Sequence, residues 1–445
     1  MKQSTWRYLW CAPDIRRKLL VTLGLLVLYR FCANVPVPGA DRAVLDRVIE
    51  SSGAAGSAIG IFDLLSGGTL SQFSVLAMGV YPYITAQIIL QLLVPIIPAL
   101  QQRMKEDPRE GRKWIEKWTY LLTVPMATLQ AIGEINLFSY LAGAPVIRNF
   151  GFTGPNSLTS LTAIVSMTAG TMFAIWLGEL ISEYGIRNQG LSLIIFAGIV
   201  SRIPTNIGRI LLDQQYRWIL LVIMLISTLL TIFAIVFVQQ GRRNVTVMYP
   251  GRRVGSRMSM PVKGTLPLMV NMAGMIPLIF AQSLLSFPAM LASFFIHSPL
   301  SRVANAAVQI QELSNVNSAP YQITYFLMVI AFTYFYTDVL FTQQNYSENL
   351  KRAGAQIPGV MPGAPTEKYL RRVQQRITLP SALLLGIVAI LPWLLGLLFP
   401  IGANTGVLLV TSSGLLIAVG VVRDVFYNIE AELKVHGYDQ PLLVR

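Results

Sequence analysis

Long stretches of this chain carry no charged side chain at all. Leu64–Gln102 (39 residues), Asn149–Gly178 (30), Trp218–Gly241 (24), Gly264–Ser301 (38), Leu313–Thr337 (25) and Ile377–Val422 (46) contain no Asp, Glu, Lys or Arg. A helix that crosses a bilayer needs about 20 mostly apolar residues. Composition agrees: 53% of the residues are hydrophobic and 13% are charged, roughly half the charged share of an ordinary soluble domain. Such a chain lacks the polar surface to cover itself in water. In lipid every backbone group must be satisfied within its own segment, which favours helices. The expectation is an all-α integral membrane protein.

The runs predict ten spans, near 19–37, 73–97, 115–137, 157–180, 190–205, 217–239, 265–291, 320–342, 377–399 and 406–424. The first begins like a signal peptide, with Arg16, Arg17 and Lys18 before Leu19–Tyr29. Pro36-Val37-Pro38-Gly39 follows in place of a small-residue cleavage site, so the span is expected to be retained. Of the 35 Lys and Arg, 27 fall in residues 1–18, 98–117, 181–189, 240–264, 343–376 and 423–445. Positive loops stay on the cytoplasmic side. Both termini are therefore expected there, which an even number of spans allows. The chain divides into residues 1–216, with spans one to five, and 217–445, with spans six to ten. Five spans is an odd number, so a second copy of the first half would be inverted.

Several kinds of chemistry lack their residues. There is no Gly-Lys-Ser/Thr phosphate loop, no His-Glu-x-x-His helix and no Gly-x-Ser-x-Gly elbow. Cys11 and Cys32 give neither a disulfide framework nor a metal-ligand spacing. No catalytic residue, metal or cofactor is expected. Charges within the spans are few: Arg30, Glu134, Glu179 and Asp338. Each reads either as a functional group or as a helix-end group reaching the interface. A proton-coupled transporter usually needs several such groups near the bilayer centre.

Two loops carry most of the chemistry. Residues 241–264 hold six cations and no acid, and the alternation of Val245, Val247 and Tyr249 predicts a hairpin turning at Pro250-Gly251. Residues 343–376 hold six cations against Glu348 and Glu367 around the turn-rich Ile357-Pro-Gly-Val-Met-Pro-Gly-Ala-Pro365. They read either as positive-inside bias or as a platform for an acidic partner or RNA. Residues 60–71 are Gly-rich and too short to cross, so they read as a re-entrant segment or a surface helix. Branched apolar residues one turn apart, such as Val80, Ile84 and Ile88 or Leu191 and Ile195, read on periodicity as lipid-facing or packing positions.

Specific motifs now add up in order. Asn34-Val-Pro-Val-Pro-Gly-Ala-Asp41, Ser66-Gly-Gly-Thr-Leu-Ser71, Met78-Gly-Val-Tyr-Pro-Tyr-Ile84, Gly170-Thr-Met-Phe-Ala-Ile-Trp-Leu-Gly-Glu179, Leu193-Ile-Ile-Phe-Ala-Gly-Ile-Val200 and Leu266-Pro-Leu-Met-Val-Asn-Met-Ala-Gly274 resemble successive elements of the SecY family. The likeness runs over about residues 16–440. It implies an hourglass of ten transmembrane helices in two inverted five-helix halves, and a channel for unfolded secretory chains that releases apolar segments sideways into lipid. It implies a pore ring of Val80, Ile84, Ile195, Ile279 and Ile417 with Leu191 close by, in place of the packing role that periodicity gives them. A branched apolar constriction dewets and leaks ions poorly.

The resemblance also implies a plug around Ile61, Phe62, Leu64, Leu65, Ser66, Gly67 and Gly68, and a lateral gate with Thr85, Gln130 and Asn271 in its polar cluster. Pro82, Gly274 and Pro277 would ease bending there. The basic loops resemble docking sites for the SecA motor or the ribosome, through Arg242, Arg243, Arg252, Arg253, Arg257, Lys368 and Arg371. Two departures remove cations: the uncharged tip Met248-Tyr249-Pro250, and Met361 where relatives usually carry Arg. SecE and a SecG-like subunit are the implied partners, with signal peptides and nascent chains as cargo, in the inner membrane of a bacterial cell. The competing expectation is a small-solute transporter built on inverted repeats.

Overall fold

A computed structural model describes residues 13–41, 44, 73–98, 100, 102, 107–142, 144–147, 150–151, 157–187, 189–212, 217–250, 253–254, 257–258, 262–274, 276–295, 301–314, 318–398 and 405–435. Among them, ten helices of 16 residues or more correspond in order to the ten expected spans: α1 (Pro13–Cys32), α2 (Tyr81–Ile96), α3 (Pro108–Ala142), α4 (Ser157–Tyr184), α5 (Gly190–Leu212), α6 (Arg217–Gln240), α7 (Ile276–Phe295), α9 (Ala319–Gln344), α11 (Ala364–Leu398) and α12 (Thr405–Val435). Two shorter helices, α8 (Ser301–Leu313) and α10 (Tyr346–Arg352), lie between them. Four segments are long and apolar enough to cross a bilayer by themselves: Arg109–Ser139, Ser157–Tyr184, Ala319–Arg352 and Ala364–Leu391. Tyr81–Val94, Gly190–Ser201, Thr228–Gln240 and Ile276–Ala289 are shorter apolar helices.

Three helix ends fall several residues short of the expected spans. Residues 73–80 are a string of turns, with Gly79 at φ 52°, and α2 begins only at Tyr81 with a proline in its first turn. Residues 265–269 are strand, Gly274 sits at φ 64°, and α7 starts at Ile276. The first helix stops at Cys32 instead of running to Val37, ahead of Pro36 and Pro38. In each case apolar character persists past the helix, while Gly or Pro sets the backbone boundary. At the other extreme, α3 and α11 reach 35 residues each. At about 1.5 Å per residue they are about 50 Å long, well beyond a hydrocarbon core of about 30 Å. They carry their cationic ends out of the lipid as continuous helix.

The first basic loop is a two-stranded ribbon. Strand β1 (Arg242–Tyr249) pairs antiparallel with β4 (Val262–Met269), from Arg242 opposite Met269 to Tyr249 opposite Val262. The short strands β2 (Arg253–Val254) and β3 (Arg257–Met258) pair inside it. The expected turn at Pro250-Gly251 is therefore corrected. The chain continues outward past Pro250, because the β2–β3 pair extends the ribbon beyond it. The alternation itself holds: Val245 and Val247 are buried while Asn244 and Thr246 are exposed.

Two of the apolar cores each stay within one half of the chain. One core joins Phe73, Ala77 and Met78 to α3 and α4 through Ala131, Ile135, Phe138 and Met167. A second joins α6, α7, α9 and α11 through Ile235, Leu278, Val329 and Leu385. Residues 1–216 hold the first and residues 217–445 the second. Helices α4 and α5 approach unusually closely. A Cβ on Gly190 would stand 1.7 Å from the Gly178 carbonyl oxygen, so only glycine fits there.

Candidate functional site

Val80 closes the turn before α2 and Ile84 follows one helical turn later. Leu191 and Ile195 repeat that spacing on α5. Ile279 lies on the first turn of α7, and Ile417 on α12. All six fall in or against one extended apolar cluster. Val80, Ile195, Ile279 and Ile417 belong to one buried cluster, and Ile84 and Leu191 pack against it partly buried. The cluster contains residues of both halves. Five of these six side chains are β-branched and stiff at χ1, so they present a nearly fixed apolar surface. The seven expected plug residues, Ile61, Phe62, Leu64, Leu65, Ser66, Gly67 and Gly68, lie outside the described residues.

Beside the waist is a seam where α2 and α3 meet α7. Thr85 and Gln130 are both buried, and the Gln130 amide donates to Thr85 Oγ1 at 3.4 Å. Thr85 in turn donates to the Pro82 carbonyl at 2.8 Å. Gln130 Oε1 is buried without a partner. Asn271 is buried too, but its side chain is engaged close by. It donates to the Gly274 carbonyl at 3.1 Å and accepts from the Gly274 N–H at 2.9 Å. That pair of bonds holds the left-handed turn into α7. The bond crossing the seam is one that sequence reasoning missed: Tyr81 donates its hydroxyl to the Ser283 carbonyl at 3.4 Å. A tyrosine at the mouth of a span is an ordinary interfacial residue, and nothing in the sequence pairs it with a residue 202 positions away. Phe280 reinforces the far side, edge-on to Phe332 and Tyr336 at 6.0 and 5.6 Å.

The two basic loops form one platform. Met248 at the end of β1 exchanges backbone hydrogen bonds with Gln356 of the second loop, at 2.8 and 2.9 Å. Beneath them is a separate apolar core of Val245, Val247, Leu268, Leu350, Ile357 and Leu370 with Phe341. Gln374 adds a donated bond to the Met269 carbonyl at 3.2 Å. The cations stand on this base. Arg242, Arg243 and Lys368 are exposed. Arg252 lies outside the described residues, while Arg253 and Arg257 are placed on β2 and β3. Arg371 is already engaged: its guanidinium grips the Asp338 carboxylate with two hydrogen bonds, one of them Nε to Oδ1 at 2.9 Å. Asp338 and Arg371 were each visible in the sequence, but their pairing follows from how α9 and α11 pack. Met361 is 77% exposed and touches no core.

A profile of the SecY family matches residues 74–426. A protein translocase subunit SecY from Streptomyces scabiei is 37% identical over 436 residues, covering 96% of this chain and 97% of its own. Its counterpart from Thermotoga maritima is 37% identical over 434 residues, covering 96% and 95%. That of Haemophilus influenzae is 35% identical over 434 residues, covering 96% and 94%. Among solved structures, a protein-conducting channel superposes with a TM-score of 0.61 at 18% identity, over 96% of this chain and 95% of that one. Sec61 in the canine ribosome–channel complex gives 0.58 at 18% identity, with the same coverage. At those identities the structures speak to the fold, and the sequence relatives speak to the family. The sequence relatives are translocase subunits, which sets the small-solute transporter aside. The chain belongs to the SecY family and is a multi-pass membrane subunit of a protein-conducting translocase, not an enzyme.

Proposed function

We propose that Val80, Ile84, Leu191, Ile195, Ile279 and Ile417 form the pore ring through which an unfolded polypeptide passes. The supporting observation is their common cluster, drawn from α2, α5, α7 and α12 and from both halves of the chain. Such side chains make a constriction that water leaves, yet they offer no hydrogen bond to hold a passing chain. Residues 60–71 serve as the plug. Residues 1–216 and 217–445 act as two bodies hinged between α5 and α6. They part along the seam of Thr85, Gln130 and Asn271 when a signal helix arrives. An intramembrane hydrogen bond is worth about 0.5–2 kcal/mol, so the Tyr81–Ser283 bond across the seam holds it only weakly and still allows it to open.

The platform receives a cytoplasmic partner, either the SecA motor or the ribosome, through Arg242, Arg243, Arg252, Arg253, Arg257 and Lys368. Arg371 is held by Asp338 and stands in reserve at the platform's edge. A SecE subunit clamps the hinge side and a SecG-like subunit joins the complex. The membrane is the bacterial inner membrane, with both termini cytoplasmic, as the excess of cations in alternate loops supports.

The test is a crosslinking map in native membranes with the partner subunits present. Cys11 and Cys32 are replaced, single cysteines are placed at Ile84, Ile279 and Ile417, and a control cysteine at Leu229 on the lipid-facing side of α6. A stalled secretory chain carrying one cysteine should form adducts at the three ring positions and not at Leu229. A targeted, inserted complex that gives no ring adducts sinks the ring assignment.

A further inference from the structure

Helix α8 joins α7 to α9 at the end of the molecule opposite the platform, since the ribbon precedes α7 and the second basic loop follows α9. At 100° per residue its side chains fall into three sectors. Ala307, Gln311, Ala304 and Val308 form the sector turned to the protein, with Ala307 buried and the others partly so. Arg302, Asn305 and Gln309 form an exposed polar sector. The third sector is apolar and also exposed: Val303, Ala306, Ile310 and Leu313, with Val303, Ile310 and Leu313 38%, 41% and 61% exposed. A helix in water needs only two sectors, one for the core and one for solvent. A helix lying in a membrane surface needs three, for protein, water and lipid.

Both helices that flank α8 in the chain, read as membrane spans, also carry exposed apolar residues. On α7, Leu284, Phe287, Leu291 and Phe295 are exposed in a line leading towards α8, and on α9 Ile323 and Leu327 are exposed just beyond it. We infer that α8 is an interfacial helix that lies in the headgroup boundary of the outer leaflet, with Val303, Ala306, Ile310 and Leu313 in the lipid and Asn305 and Gln309 in water. This rests on the reading of α7 and α9 as membrane spans. Amphipathic helices of this kind sink their apolar face about 5–10 Å into the boundary. Because α8 links helices on one flank of the seam, it gives the outer leaflet a direct hold on the helices that move when the seam opens. The occupant of the stripe is lipid.

The test uses the full chain with its partner subunits in liposomes, with Cys11 and Cys32 replaced. Single substitutions Val303→Cys and Ile310→Cys on the stripe, Asn305→Cys and Gln309→Cys on the polar face, and Leu229→Cys on α6 are labelled with nitrobenzoxadiazole. Nitroxide-bearing phospholipids then quench from either a shallow or a deep position. The expected result is loss of most emission at Val303 and Ile310 with the shallow nitroxide, little loss at Asn305 and Gln309, and strong loss at Leu229 with the deep one. Quenching at Leu229 but not on the stripe overturns the inference and leaves the spans intact; a stripe covered by protein or facing water gives this result. Equal quenching on both faces of α8 also overturns it, because the helix is then submerged. No quenching at Leu229 overturns the membrane reading itself.

Discussion

The waist and the platform are built by opposite means. The proposed waist is made of side chains alone: Val80, Ile195, Ile279 and Ile417 come from remote helices and belong to one apolar cluster. The platform is made of backbone. Strands β1 and β4 pair along their whole length, Met248 and Gln356 bridge the two loops, and a private core lies beneath. Dispersion and burial carry no direction, so an apolar cluster can part and close again around objects of many shapes. Backbone ladders are directional, and a buried one costs dearly to break. The region proposed to yield lacks a ladder, and the region proposed to be gripped has one.

The largest effect should come from making the waist polar. Replacing Ile84, Ile195 and Ile417 together with Ser removes the dewetting surface. Each 1.4 kcal/mol taken from the barrier to ion entry raises leak about tenfold. The resting ion conductance of the reconstituted complex should therefore rise by roughly one to two orders of magnitude. An unchanged conductance with an intact complex breaks the comparison at the waist.

Leu370→Ala attacks the other side. This side chain is fully buried in the platform core. Such a truncation costs about 2–5 kcal/mol. The platform should loosen, with faster amide exchange in β1 and β4 and loss of motor-driven transport. The resting leak should stay unchanged, because the waist shares no side chain with that core. A rise in leak would show that the two regions are mechanically one. A third effect, somewhat smaller, is expected from Gly190→Ala. Its methyl would collide with the Gly178 carbonyl, and overpacking of this kind costs about 1–3 kcal/mol. It should lower the heat resistance of the complex with no selective loss at the platform.

The same contrast explains what the sequence could reveal. Ten helices were legible because long uncharged runs have few alternatives, and four of the segments need only length and hydropathy to qualify. Two of their ends were misjudged, at Gly79 and Gly274, because hydropathy continues past the helix there while the glycine backbone sets the boundary. The ribbon was readable from the alternation of Val245 and Val247, but its length was not: β2 and β3 carry it past Pro250. The waist was opaque to periodicity, because an isoleucine facing lipid and one facing a pore look the same. It was family likeness that singled out those six positions. Long-range pairings stayed hidden. Tyr81 with Ser283, Met248 with Gln356, and Asp338 with Arg371 depend on how helices pack.

The smallest effect concerns that last pair. Asp338→Asn leaves the shape of the side chain and removes its charge. Both partners are substantially exposed, at 40% for Asp338 and 48% for Arg371. Exposed ion pairs are worth about 0.2–1 kcal/mol and are screened by salt. Fold stability should therefore change little, and less still at high ionic strength. The freed guanidinium, however, becomes available at the edge of the platform beside Lys368. Motor binding should tighten modestly at low salt, and the gain should vanish as salt rises. Arg371→Gln alone should not tighten it, and the double variant should match that single one. Equal weakening by Asp338→Asn and Arg371→Gln would show instead that the pair serves to brace α11 against α9. The platform would then depend on an exposed ion pair as well as on its ladder and core, and its contrast with the waist would be one of degree.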